Sequence, residues 1–96
     1  MHIIFLRFTA EKARAGAFMA AHNAWLQHGF DDGIFLMSGG LAPGLGGVIL
    51  AHGSSAAEIH ARVAADPFVI EGIVTAEINE VTPGRLDERL NFLRAA

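Results

Sequence analysis

Residues 2–9 read HIIFLRFT, and this octet decides the architecture. Read as a strand, it puts His2, Ile4, Leu6 and Phe8 on one face and Ile3, Phe5, Arg7 and Thr9 on the other. Both faces are largely apolar. An antiparallel strand with one wet face carries polar residues on that side, so each face of this strand predicts a cover.

The segments that follow supply one of the two covers. Residues 11–28 predict a helix with Thr9 as N-cap, frequent Ala and no Pro. Phe18, His22, Trp25 and Leu26 recur at i, i+4, i+7 and i+8 as one apolar stripe, with Ala21 and Gly29 at its edge. Gly29 reads as the residue that closes the helix. Residues 33–39, GIFLMSG, predict a second strand, and residues 48–52, VILAH, a third antiparallel to it. Gly40 to Gly47, containing Pro43, reads as their connection. Residues 55–65 predict a shorter helix capped by Ser54 or Ser55. Ser55 with Glu58 has the spacing of a capping box, and Ile59 and Val63 form the buried stripe. Asp66 and Pro67 predict a short helical turn through Val69 or Glu71, with Asp66 as N-cap and Pro67 at the first position. Residues 73–82, IVTAEINEVT, give the last strand. Pro83-Gly84 turns the chain, and residues 85–94 predict a polar helix carrying Leu86, Leu90 and Leu93.

The order is β-α-β-β-α-β in a single domain spanning residues 1–96. With right-handed crossovers it predicts an α+β, ferredoxin-like fold: a four-stranded antiparallel sheet with two helices on one face. The opposite face keeps the apolar residues of the first three strands, so a homodimer packed sheet to sheet is expected. Composition agrees: the 96 residues are 52% hydrophobic and only 18% charged, where a soluble domain carries about 25%.

Composition also narrows function. The net charge of −3, without a Lys or Arg cluster, argues against a nucleic-acid partner. The absence of Cys excludes disulfide scaffolds, thiolate metal sites and a cysteine nucleophile. No apolar run approaches the roughly 18 residues that span a bilayer. The first residues lack the features of a signal peptide, so no membrane partner and a cytoplasmic location are expected.

Among the residues that could carry chemistry, His22 comes first. It sits on the apolar stripe of the first helix, either as a general acid or base or as a half-buried histidine bonded to a carbonyl or water. Asp66 caps the turn opened by Pro67, or orients His22 or accepts a substrate proton. The stretch GGLAPGLGG lacks the lysine of a phosphate loop and lies between two strands, so it reads as a hairpin or pocket rim. Amides at Gly39, Gly40 and Gly44 would suit a small anionic ligand. Arg7 either pairs with an acid such as Glu77 across the sheet or binds a ligand carboxylate. Ser38 has no nucleophile elbow around it; with Arg7, Gly39 and Gly40 it completes the expected ligand-binding set. His2, His28, His52 and His60 show no metal spacing, and neither a metal nor a cofactor is expected.

With those residues in place, the chain resembles the YCII-related family of small dimeric α/β-barrel proteins. The likeness covers nearly all 96 residues. It rests on an apolar first strand, the helix carrying His22 in AHNAWLQHG, a strand ending in MSGG, and the Asp66-Pro67-Phe68 segment before the last strand. The resemblance implies that His22 and Asp66 meet in a cleft near a subunit interface, with Gly39 and Gly40 beside it. Many members follow the glycine pair directly with proline; Leu41-Ala42-Pro43 stands here instead and alters the rim. One characterised relative removes chloride from a chlorinated hydroxyhydroquinone, which implies a lyase-like, cofactor-independent reaction. His22 would then move a proton on a phenolic or enolisable molecule and Asp66 would hold its tautomer. Arg7 or glycine amides would steady the enolate-like charge. A binding or accessory domain with the same cleft is the alternative, and it predicts tolerance of His22→Gln. A purely structural dimer predicts no cavity at His22.

Overall fold

The computed structural model describes residues 1–95. Strand β1 (His2–Phe8) lies at the centre of the sheet, flanked by β3 (Gly46–Ala51) and β4 (Val74–Glu80), with β2 (Phe35–Leu41) at the edge beside β3. The order β2-β3-β1-β4 is antiparallel throughout. Helices α1 (Ala15–Asp31), α2 (Ala56–Ala64) and α3 (Pro67–Ile70) cover one face. This is the ferredoxin-like α+β arrangement that the segment order predicts. No helix among the described residues is long and apolar enough to cross a membrane.

The two faces of β1 separate as the octet requires. Ile4 and Leu6 are buried in the core with Phe35, Ile49, Ile59 and Phe68. Ile4, Ile49, Ile59 and Ile73 are completely enclosed, and each such side chain contributes about 1.5–3 kcal/mol of transfer free energy. On the outer face Ile3 and Phe5 are half-buried and pair with Leu50 and Val48. Met37, opposite Leu50, is 43% exposed. The helices leave this apolar surface uncovered.

Local chemistry sets the element ends. Ser55 and Glu58 form the expected capping box at α2: the Ser55 hydroxyl accepts from the Glu58 N–H at 3.2 Å, and Glu58 accepts from the Ser55 N–H at 3.1 Å. The Ser55 backbone hydrogen bond, first among its causes, holds the Glu58 carboxyl below its ordinary range. Asp66 caps α3 with Pro67 in its first turn.

Four boundaries differ from the sequence reading. Thr9 does not cap α1, because a 3-10 turn over Lys12–Arg14 intervenes. Its hydroxyl accepts from the Glu11 N–H and donates to the Gly72 carbonyl at 2.7 Å, tying this entry to the approach of β4. Gly29 does not close α1, which runs on to Asp31. Gly29 is buried inside the helix because a Cβ there would overlap the Phe35 ring. The left-handed position falls at Gly33 (φ +73°), after the capping Asp32. The glycine-rich connection also contracts: Gly40 and Leu41 belong to β2, and Gly46 and Gly47 to β3. Glycines that read as loop are used for close pairing; at Gly46 (φ +139°) a Cβ would overlap the Leu6 carbonyl. Finally, the C-terminal helix forms as 3-10 turns over Glu88–Ala95, with Leu93 buried and Leu90 exposed.

Candidate active site at His22 and Asp66

The site begins with α3. Pro67 presets the first helical turn, and the Asp66 side chain accepts from the Phe68 N–H at 3.0 Å. Asp66 is fully buried, and a buried carboxylate is tolerated only with hydrogen-bonding partners. The second partner comes from α1: His22 Nδ1 lies 2.8 Å from the same Asp66 oxygen, Oδ1. The other oxygen, Oδ2, is buried without a hydrogen-bond partner among the described residues. Capping and pairing thus coexist in one side chain.

Packing fixes the imidazole. Its ring lies 4.1 Å from the Phe68 ring, centroid to centroid, with only 4° between planes. Trp25 stacks at 5.7 Å and is itself anchored by an Nε1–H bond of 2.9 Å to the Arg62 carbonyl. An ionised Asp66 only accepts, so it places the imidazole hydrogen on Nδ1. Nε2 is then the atom available for proton exchange.

His22 faces a cavity between α1 and the β2–β3 hairpin. The cavity has two lobes, of about 200 and about 150 Å³, which share Leu6, His22, Gly39 and Gly47. Met19 and Asn23 border the larger lobe, and Ser38 and Leu26 the smaller. A larger open groove, of about 640 Å³, lies elsewhere, beside Trp25, His28, Glu58 and Arg62. Its acids are already engaged: Arg62 holds Asp32 at 2.8 Å, Gln27 holds Asp31 at 2.8 Å, and Glu58 belongs to the capping box. The dyad cavity is the better chemical candidate despite its smaller size, because it is bordered by the His22 imidazole that pairs with Asp66. No cluster of three metal-ligating side chains occurs among the described residues.

The expected ligand set divides. Ser38 and Gly39 border the cavity with His22. Gly40, although paired with Gly47, lines neither lobe. Arg7 does not join the site. Strand alternation puts it on the outer face, where it bonds Glu77 at 3.0 Å and lies 4.8 Å over the Phe5 ring. A side-chain hydrogen bond from Asn79, then the Arg7 charge, keeps the Glu77 carboxyl below its usual range. Sequence reasoning missed Phe8, Met19, Asn23 and Gly47 as lining residues. Met19 lies three residues before His22 and Asn23 four after Met19, spacings that make neighbours on a helix surface, so the helical period alone could have found them.

Comparison with known proteins agrees with this fold. A solved structure of the same fold is 5-chloro-2-hydroxyhydroquinone dehydrochlorinase from Burkholderia phenoliruptrix, in complex with 2,5-dihydroxybenzoquinone. The TM-score is 0.68 at 21% identity, covering 88% of this chain and 96% of that one. No curated protein sequence matches this one. The model of the YCII-related domain matches residues 1–83, from the start of the chain through β4, His22 and Asp66 included. The chain belongs to the YCII-related family.

Proposed function

We propose that the protein is a small enzyme in which His22 and Asp66 transfer a proton on a phenolic or enolisable small molecule, in a lyase-like reaction. The observation that carries this reading is the 2.8 Å His22–Asp66 contact in a residue pair whose imidazole opens onto a cavity. Family membership and the dehydrochlorinase of the same fold support a small-molecule enzyme.

In the proposed reaction His22 Nε2 takes a proton from a phenolic oxygen and returns one to a ring carbon, which becomes tetrahedral. A leaving anion on that carbon then departs with its bonding electron pair as a remaining hydroxyl loses its proton and the carbonyl system re-forms. The net change is the loss of one proton and one anion. Asp66 holds the Nδ1 hydrogen and stabilises the imidazolium between the two transfers. Backbone amides along the glycine-lined wall are the proposed partners of the enolate oxygen.

The outer face of the sheet supports a homodimer. Ile3, Phe5, Val48, Leu50 and Met37 form an apolar surface there; a stable pair buries about 800 Å² per partner. Phe5→Glu should convert a dimer into a monomer by sedimentation velocity; a wild-type monomer at high concentration would refute the assembly.

The enzymatic reading is tested by following chloride release and quinone absorbance with 5-chloro-2-hydroxyhydroquinone, alongside other halogenated phenols and enols. His22→Asn should lower kcat by about 10²–10⁴-fold, the range for a lost general acid–base group. Turnover unaffected by His22→Asn would refute the mechanism. Binding without turnover would instead identify a binding domain.

A further inference from the structure

Three glycines, Gly39, Gly46 and Gly47, line the cavity, and the backbone explains only one of them. Gly46 is demanded by the fold, since its φ of +139° and its contact with the Leu6 carbonyl leave no room for a Cβ. Gly39 pairs with Val48, so a side chain there would project to the outer face, near the Met37 sulfur at 3.9 Å. Gly47 is different. It has no positive φ, and the nearest atom to a Cβ would be the Gly39 carbonyl oxygen at 3.3 Å, a contact relieved by a shift of a few tenths of an ångström. It pairs with Leu6 on one side and Gly40 on the other. Its missing side chain therefore lies on the helix-covered face, under His22.

Gly47 also borders both lobes. The lobes of about 200 and about 150 Å³ compare with an apolar cavity of about 150 Å³ that accepts benzene. The walls are mainly Leu6, Phe8, Leu26 and Phe68, with Asn23 and Ser38 able to meet hydroxyl groups. We propose that Gly47 is a specificity-determining position, whose absent side chain joins the lobes into one slot for a hydroxylated ring beside His22. The proposal rests on the small-molecule site described above, and not on turnover there.

Calorimetric titration of the full chain with phenol, hydroquinone and 1,2,4-trihydroxybenzene tests it. Wild type should bind at least one of these probes. Gly47→Ala should weaken that binding at least tenfold while circular dichroism shows a folded protein. If Gly47→Ala does not fold, Ser38→Leu fills the smaller lobe from the exposed edge strand and should produce the same loss. The proposal is overturned if wild type binds none of the three probes. It is also overturned if the folded variant, or Ser38→Leu in its place, binds like wild type. Turnover lost in His22→Asn tests the mechanism separately. Ring binding that depends on Gly47 without turnover contradicts the enzyme and leaves the slot standing.

Discussion

Replacing Asp66 separates its two jobs. In the native protein one oxygen, Oδ1, receives both the Phe68 N–H at 3.0 Å and His22 Nδ1 at 2.8 Å. Asp66→Ala removes both bonds and leaves two donors without their partner in a buried site. Each bond to a charged group contributes about 1.5–3 kcal/mol. Removing the buried carboxylate recovers part of that sum, because its desolvation is relieved. A net destabilisation of about 2–5 kcal/mol follows, of which the helix cap alone supplies about 1. Asp66→Asn behaves differently. Its amide oxygen can occupy the Oδ1 position and accept from both donors, while its NH₂ takes the Oδ2 position, where the native oxygen has no partner. Substituting neutral for charge-assisted bonds, and burying one unsatisfied donor, costs about 1–3 kcal/mol. Stability should therefore fall further in the alanine variant. Activity should collapse in both, because a neutral amide cannot balance the imidazolium charge. Urea unfolding monitored by Trp25 fluorescence gives the stabilities, and initial rates give the activities. Unfolding midpoints of Asp66→Ala and wild type that coincide would refute the buried pairing. An Asp66→Asn enzyme with wild-type kcat would refute the electrostatic role.

Three further perturbations probe the fold and its coupling to pH. His2 is buried with both ring nitrogens unpartnered, and its pKa is lowered from 6.5 by burial first and then by the N-terminal amine and His60, against an opposing pull from Glu80. The unfolded chain therefore binds this proton more readily. The His2 contribution to stability is complete above about pH 6.5 and declines as pH falls below it towards the folded pKa. His2→Phe should flatten the difference in urea midpoint between pH 7.5 and pH 5; an unchanged or steeper difference would contradict it. Gly29→Ala drives a Cβ into the Phe35 ring and should destabilise by about 1–3 kcal/mol, whereas Gly16→Ala, in open space early in α1, should stabilise by up to about 1 kcal/mol. Equal midpoints for these two variants would show that Gly29 is not packed as described. Ser55→Ala removes one bond of the capping box and should cost about 1 kcal/mol by thermal or urea unfolding, with no loss of dyad activity; an effect confined to activity would contradict its assignment to the helix cap.

The sheet was legible because β1 carries two apolar faces, a pattern that an edge strand with one wet face does not fit. Asp66 was legible because an aspartate before proline has few better local uses than a cap. Its contact with His22 was not legible from spacing, since it joins two helices through tertiary packing; the family resemblance pointed to it. Arg7 illustrates the converse. Pairing with an acid and binding a ligand carboxylate were both open, and strand alternation, with Glu77 in register opposite Phe5, decided between them. Gly29 and the hairpin glycines were misread for a common reason. Glycine weakens both helix and strand intrinsically, so local propensity assigns it to ends and loops. Here the benefit is non-local: room for the Phe35 ring, close approach to Leu6, and empty space under His22. Part of the apolar composition lies on the outer face of the sheet, which carries Ile3, Phe5, Val48 and Leu50.

The proton position within the dyad tests the proposed proton transfer most directly. Long-range ¹H–¹⁵N correlation spectra of wild type and Asp66→Ala, recorded where the imidazole is neutral, report which His22 nitrogen carries hydrogen. The Asp66 contact predicts a protonated Nδ1 and a bare Nε2 in wild type, and loss of that preference in Asp66→Ala. A wild-type His22 protonated on Nε2, or a tautomer indifferent to Asp66, would contradict the proposed proton transfer at its source.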